Sequence, residues 1–189
     1  MSSRLVLLAW FLFLFSNAWA DFVESPDGKY RVLITKSRYI IPSNCSYFFR
    51  KGQHASEIWL LDKESKIKIL LVKPNFDCSD ASNMIINPHN LQFSPDSKTL
   101  YFETSAWITT GAIHAVDLGT HHVRFVCSGS QLRVISYGQY KGDIIVNQHR
   151  YLFDNDNPIG SNDLDWVFTP KGEEVKVCDE ADAAYCLAH

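Results

Sequence analysis

A repeated turn motif constrains the fold of this chain more than any other feature. Residues 25–29 have the sequence S-P-D-G-K, and residues 94–98 repeat it as S-P-D-S-K. Proline fixes φ at the first corner of a tight turn, and Asp followed by Gly or Ser suits its later positions. Self-similarity of this kind indicates a repeat architecture, so each copy predicts a turn that joins two strands of one repeat.

A second pair of similar segments follows the two turns. Residues 58–62 and 113–117 are both typical of a strand that ends in Asp. Each is followed by a polar turn and a further strand, over residues 67–72 in the first copy and 123–127 in the second. The sequence therefore predicts two units of four antiparallel strands, of which the first carries an inserted loop between Ser37 and Ser56.

A weaker third unit follows the second. Four segments are typical of strands, over residues 132–137, 143–150, 163–168 and 173–178. Residues 169–172, with the sequence T-P-K-G, form a degenerate copy of the turn, and no long amphipathic helix is predicted. We therefore expect an all-β chain.

The repeats resemble the blades of TolB-type, PD40-class β-propellers. The resemblance rests on F-S-P-D-S-K at residues 93–98, the aromatic strand after it and the next strand ending in Asp, and it covers most of residues 22–128. A closed propeller needs about four or more blades of four strands. The resemblance therefore implies an incomplete β-propeller-like stack of about three four-stranded antiparallel sheets.

The N-terminus has the features of a cleavable signal peptide. Arg4 precedes an apolar run over residues 5–15, and Ala18-Trp19-Ala20 matches the cleavage pattern of small residues. The run is too short to span a bilayer as a helix, although an uncleaved anchor is the alternative. We expect residues 1–20 to be removed, which leaves a single exported domain over residues 21–189.

The charge of the chain restricts its partners. Without Arg4, 17 basic residues face 21 acidic ones, a formal net charge of −4. This acidity argues against binding to nucleic acid or to an anionic membrane surface, and it allows a basic protein partner. A homodimer is also compatible with this sequence.

Five cysteines lie beyond the signal peptide. In an oxidising compartment Cys45, Cys78, Cys178 and Cys186 are candidates for disulfides, with Cys178 and Cys186 able to staple the C-terminal tail. Cys127 lies in an alternating apolar run and is interpreted as a small buried hydrophobe.

The segment Y-F-E-T-S-A-W-I-T-T-G-A, residues 101–112, supports a second resemblance. Within this architecture it looks like that of the periplasmic immunity proteins that neutralise peptidoglycan amidases of type VI secretion. In that family a loop plugs the cysteine–histidine site of the amidase, and a hydroxyl reaches its catalytic groups. The resemblance implies that Trp107, Ile108, Thr109, Thr110 and Gly111 bind the amidase, with Thr109 or Thr110 as the hydroxyl. The alternative is that Trp107 packs inward and the threonines only complete a turn.

The inserted loop is the second candidate for partner binding. It places Tyr47, Phe48 and Phe49 beside Arg50 and Lys51, which is a composition typical of interface hot spots. The alternative is that these residues cover an open edge of the first sheet.

Other features offer little evidence of chemistry. His121 and His122 are adjacent in a turn, and His114 is interpreted as a strand residue that bonds a carbonyl. Residues 154–163 are acidic and could bind Ca²⁺, but they fail the EF-hand pattern, and a solvated loop is the preferred interpretation. We assign no catalytic residue, metal site or cofactor. The alternatives to an immunity protein are a carbohydrate or small-ligand binding module and an exported hydrolase, for which no motif is found.

Overall fold

The computed structural model describes residues 22–45, 49–50, 52–107 and 110–178, which form three four-stranded antiparallel sheets. Sheet 1 contains β1 (Phe22–Glu24), β2 (Tyr30–Ile40), β3 (His54–Asp62) and β4 (Lys68–Val72). Sheet 2 contains β5 (His89–Phe93), β6 (Thr99–Ser105), β7 (Gly111–Asp117) and β8 (Val123–Ser128). Sheet 3 contains β9 (Ser130–Val134), β10 (Ile144–Asp154), β11 (Asn157–Phe168) and β12 (Glu174–Cys178). The predicted all-β, three-sheet stack is confirmed. The predicted signal peptide, residues 1–20, lies outside the described residues.

The two copies of the turn motif have the same geometry. The Ser25 hydroxyl donates to the Asp27 carboxylate at 2.6 Å, and the Gly28 amide donates to the Ser25 carbonyl at 2.8 Å. In the second copy the Ser97 amide donates to the Ser94 carbonyl at 2.9 Å. Gly28 and Ser97 both have a positive φ, 71° and 59°. The Asp27 amide also donates to the Ser97 hydroxyl at 3.1 Å, so the repeated motif links neighbouring sheets as well as neighbouring strands.

Two apolar clusters hold the sheets in a row. The first lies between sheets 1 and 2 and includes Val32, Ile58, Leu100 and Phe102, all fully buried. The second lies between sheets 2 and 3 and includes Ile113, Leu132, Ile144 and Val146. Among the described residues, no apolar cluster joins sheet 1 to sheet 3. The stack is therefore open, because the first sheet does not meet the last.

A buried polar network also joins sheets 2 and 3. Glu103, only 5% exposed, accepts a hydrogen bond from the Leu132 amide at 2.7 Å and another from the Asn90 side chain. Asn90 and Gln92 both donate to the Leu132 carbonyl, at 2.9 and 2.6 Å. Burial would raise the pKa of Glu103, but these bonds and the imidazole of His89, 3.4 Å away, hold it below its usual value. The network fixes the edge of β9 against sheet 2.

The two ends of the stack differ. On the outer face of sheet 3, Ile135, Ile145 and Val167 are fully buried and pack with Tyr140 and Cys178. On the outer face of sheet 1, four apolar residues face one another across the strands, and we call them the apolar row: Phe22, Leu33, Trp59 and Leu70. Arg31 lies over the Phe22 ring and Lys68 over the Trp59 ring, at 4.0 and 4.6 Å from the ring centroids. One end face is thus sealed by apolar packing, whereas the apolar row at the other end lies beneath the side chains of Arg31 and Lys68.

Sheet 3 differs from the sequence prediction in its strand limits. The interpretation of residues 154–163 as a loop is wrong, because β10 and β11 continue as one hairpin that turns at Asn155 and Asp156. Both turn residues have a positive φ, 47° and 65°, as a two-residue hairpin turn requires, and Asn and Asp tolerate this conformation. β9 also ends at Val134 rather than at residue 137, because Ile135 instead closes a turn with Asp143.

Candidate partner-binding face

The fold gathers three connections on one side of the stack. Because each sheet is a meander, the loop between β2 and β3, the loop between β6 and β7 and the connector between β4 and β5 leave the sheets at the same end. They share an apolar cluster of buried residues that includes Ile41, Cys45, Met84, Ile86 and Ala106. We call this side the loop side, and it contains both segments that the sequence predicts to bind a partner.

A disulfide ties two of these connections together. Cys45 and Cys78 are bonded, with their Cα atoms 5.4 Å apart, which confirms both as disulfide cysteines and links the inserted loop to the connector. Cys178 is also disulfide-bonded, whereas Cys186 lies outside the described residues. Cys127 is free and buried, as predicted, and burial raises its pKa to about 12. Its thiol is therefore a packing group rather than a nucleophile.

The loop between β6 and β7 has an ordered base and an exposed aromatic residue. Ser105 pairs with Gly111 at the end of the two strands, and the Trp107 amide donates to the Thr110 carbonyl at 3.0 Å. Ala106 is 1% exposed, whereas Trp107 is 39% exposed. Ile108 and Thr109 lie outside the described residues. The indole of Trp107 is thus accessible from solvent at a position that the backbone holds firmly.

Gly111 supports this loop through its lack of a side chain. A Cβ atom at this position would lie 2.9 Å from the backbone oxygens of both Gly129 and Thr104. Its own carbonyl accepts a hydrogen bond from the Gly129 amide at 2.8 Å. The structure therefore places Gly111 where β7 closely approaches the one-residue connection between sheets 2 and 3.

The inserted loop has a buried part and an exposed part. Ile41 is buried and Phe49 packs against the loop-side cluster, whereas Tyr39 and Ile40 are 40% and 55% exposed. Tyr47 and Phe48 lie outside the described residues. A mostly apolar cavity of about 550 Å³ opens here, lined by Ile40, Ile41, Pro42, Ser43, Phe49, Arg50 and Gly52. The loop therefore both covers the cluster and presents an apolar surface to solvent.

His114 has a structural environment. It lies in β7, is 1% exposed, and its Nε2 atom is 3.0 Å from the Ser82 carbonyl of the connector. Its ring stacks on Phe102, and burial lowers its pKa. The interpretation of a strand histidine that bonds a carbonyl is confirmed, and its neutral ring ties sheet 2 to the connector.

The described residues show no cluster suited to a metal ion. In the part of the chain with defined coordinates, no group of three His, Cys, Asp or Glu residues comes together. His121 and His122 lie in the exposed turn after β7, where His121 has a positive φ of 58°. No described helix is long and apolar enough to cross a membrane.

A groove that the sequence analysis missed lies between the β6–β7 loop and sheet 3. Its volume is about 420 Å³, and its lining includes Thr110, Ser128, Gln148, Arg150 and Gly172. Its lining comes from residues far apart in the chain, and no local sequence pattern predicts that they meet. The groove brings Thr110 and the base of the β10–β11 hairpin to one surface.

Comparison with solved structures shows likeness of fold. Dipeptidyl peptidase 4 of Porphyromonas gingivalis aligns with a TM-score of 0.53 at 7% identity, over 84% of this chain and 24% of its own. TolB of Acinetobacter baumannii aligns at 0.49 with 15% identity, over 82% and 31%. The β-propeller domain of the trilobed protease of Pyrococcus furiosus aligns at 0.48 with 12% identity, over 82% and 41%. No protein-family model matches the sequence, and the search of curated proteins gave no significant match.

The chain has a β-propeller-like fold. It spans between 24% and 41% of the length of these three structures. Since propeller blades carry many unrelated activities, the likeness concerns the fold, and function has to be argued from the loop side.

Proposed function

We propose that this chain is a periplasmic immunity protein that binds a peptidoglycan amidase effector of type VI secretion and occludes its active site. The observation that supports this most is the β6–β7 loop, whose base is buried and hydrogen-bonded while Trp107 is exposed. The predicted signal peptide and the resemblance of residues 101–112 to that family point the same way.

A loop whose base is held by hydrogen bonds is well suited to inhibition. A segment that is already held in its bound conformation loses little entropy when it binds, so a few residues can give high affinity. Trp107 offers a large apolar surface of the kind that dominates interface energies. Threonine hydroxyls can donate to and accept from a catalytic imidazole, and a hydroxyl offers the amidase no bond to cleave. We assign this contact to Thr109 or Thr110.

The neighbouring cavity supports a protein partner over a carbohydrate. A carbohydrate carries many hydroxyl groups, and its site has to supply hydrogen-bonding partners in matching number, because polar groups buried without a partner cost free energy. The cavity beside Ile40 and Phe49 is lined mainly by apolar side chains, with Ser43 and Arg50 as its polar members. It is suited to receive an apolar side chain of a partner next to the occluding loop.

The test begins with the protein encoded beside this chain, which the proposal requires to be a small cysteine hydrolase. Directed to the periplasm of a Gram-negative host, that protein should cause lysis, and co-expression of this chain should prevent it. Replacing both threonines (Thr109→Ala, Thr110→Ala) should weaken binding of the purified hydrolase about 10-fold, and Trp107→Ala about 10- to 100-fold. Thr110→Arg should abolish inhibition by steric exclusion.

The control variant is Ser65→Arg, which adds the same side chain to an exposed turn at the opposite end of sheet 1. It should protect as well as the wild type, and thermal unfolding of every variant should match the wild type within a few degrees. Full protection and unchanged affinity with Trp107→Ala and Thr110→Arg would exclude the loop from the mechanism. A neighbouring gene product that does not lyse cells, or whose lysis this chain does not prevent, would contradict the proposed function itself.

A further inference from the structure

The β10–β11 hairpin extends beyond the sheet to which it belongs. Within the described residues, β9 pairs with β10 as far as Asn147, and β12 pairs with β11 as far as Asp165. Residues 148–164, which we call the arm, therefore form a two-stranded ribbon. Six residue steps from Gln148 to Asp154 give it a length of about 20 Å. The arm extends on the loop side, because it is the sheet 3 counterpart of the inserted loop and of the β6–β7 loop.

Among the described residues, the three large apolar side chains with the highest exposed fractions lie on the arm. Tyr151, Phe153 and Ile159 are 63%, 62% and 66% exposed, and Leu152 is 41% exposed. Ile159 is the extra residue of a bulge, since Leu152 pairs with Gly160 and Phe153 with Pro158. A two-stranded ribbon is only marginally stable in water by itself. Tyr151 and Phe153 are two residues apart in β10 and so lie on the same face of the ribbon, and exposed apolar side chains gathered on one face are typical of an interaction site.

Among the described residues, side chains at the base of the arm contact one another and the neighbouring strand. Arg150 stacks on the Trp166 ring at 3.5 Å and donates to Glu174 at 2.6 Å, and His149 lies 2.9 Å from Asp163. Beyond this base, residues 151–162 contain two carboxylates, Asp154 and Asp156, and no Lys or Arg. The tip therefore combines exposed aromatic residues with negative charge.

We propose that the arm is a second docking element, which binds the same amidase at an apolar patch bordered by Lys or Arg, beside the active site that the β6–β7 loop occludes. This inference rests on the proposed function. The groove lined by both Thr110 and Arg150 makes the loop and the base of the arm parts of one surface, so one partner can contact both. A symmetric pairing of arms from two copies is disfavoured, because it would bring four tip carboxylates together within an acidic protein.

The experiment measures binding of the purified neighbouring hydrolase to arm variants. The double variant Tyr151→Ser, Phe153→Ser should weaken binding 10- to 100-fold, mainly through faster dissociation. Asp154→Asn with Asp156→Asn should slow association severalfold and reduce its dependence on salt. Ile67→Ser is the matched control, because Ile67 is 60% exposed but lies in the turn at the opposite end of sheet 1, and it should bind like the wild type.

Inhibition measured at saturating concentration distinguishes the role of the arm from that of the β6–β7 loop. At saturating concentration the arm variants should still inhibit the hydrolase completely, whereas Thr110→Arg should not inhibit at any concentration. Wild-type affinity in both arm variants would overturn the inference and leave the proposed function standing. Failure of the wild-type chain to bind the hydrolase would overturn both. A concentration-dependent dimer, seen by sedimentation and abolished by Tyr151→Ser, Phe153→Ser, would also overturn the inference, because the arm would then bind a second copy.

Discussion

Loss of the Cys45–Cys78 disulfide should lower the stability of this protein by an amount that follows from its position. The two cysteines are separated by 33 residues, and closing a loop of that size restricts the unfolded chain by about 3.7 kcal/mol in the chain-entropy relation. The bonded ends lie in the loop-side cluster, so the native loop should keep its place without the bond. The double variant Cys45→Ala, Cys78→Ala should therefore fold, with a free energy of unfolding roughly 3 to 4 kcal/mol smaller.

Urea unfolding followed by tryptophan fluorescence measures this difference. At the size of this chain, the expected loss corresponds to a fall in melting temperature of about 7 to 15 °C. The control is Cys127→Ala, which removes a buried thiol without breaking a cross-link and should cost about 1 kcal/mol. Adding reductant to the double variant isolates the contribution of the disulfide that holds Cys178.

Two results would refute this reasoning. If the double variant lost less than about 1 kcal/mol, the unfolded chain would already be constrained in this region, and the entropy relation would not apply. If it lost far more and also exposed its tryptophans in the absence of urea, the loop-side cluster would depend on the bond, and packing could not hold the inserted loop alone.

Three further outcomes are expected. Glu103→Gln should destabilise the protein by about 2 kcal/mol at neutral pH, because the buried amides around it lose a charged acceptor, as urea unfolding would show. The hydrogen bond with Glu103 raises the pKa of His89 above 6.5, and the pKa of Glu103 lies below 4.5. The stability that this pair contributes is therefore lost as the pH rises through the pKa of His89 or falls through the pKa of Glu103. The stability difference between wild type and His89→Ala should therefore be largest between roughly pH 4.5 and 6.5, and a difference that grows above pH 8 would contradict the assignment. Gly129→Ala should lower the free energy of unfolding by about 3 kcal/mol or more, because Gly129 has a φ of 138° and an added Cβ would lie 2.7 Å from the Asn147 carbonyl oxygen. The control Gly142→Ala, also at positive φ but in open space, should lower it by only about 1 kcal/mol. Equal shifts in melting temperature for the two variants would refute the packing argument.

The sequence predicts the first two sheets well because their determinants are local. A tight turn depends on four or five consecutive residues, and the S-P-D motif specifies both the corner and the side-chain bond that closes it. The Asp residues that end β3 and β7 act in the same way: Asp62 accepts from the amides of Glu64 and Ser65, and Asp117 accepts from that of Thr120. Such contacts lie within three residues along the chain, so they can be inferred from the sequence alone.

Sheet 3 and the loop side depend on contacts between distant residues. The segment N-P-I-G-S-N, residues 157–162, has little tendency to form a strand, and it does so because β10 provides a partner strand for it. The sequence identifies Cys45 and Cys78 as candidates, but their pairing follows from the packing of the inserted loop on the connector. The arm was missed for the same reason, since its exposure depends on where β9 and β12 stop pairing with it.

The difference between the two end sheets determines where a further blade could be added by design. In a repeat protein each unit is stabilised by the face of its neighbour, and a capping unit ends the series by hiding that face. Sheet 3 already has the properties of a cap, because its outer apolar residues are buried within its own chain. Sheet 1 presents an apolar surface of the kind found between sheets, the apolar row, beneath the side chains of Arg31 and Lys68. A fourth blade fused ahead of Phe22 would therefore find a surface to pack on, whereas a blade fused after β12 would first have to uncover one.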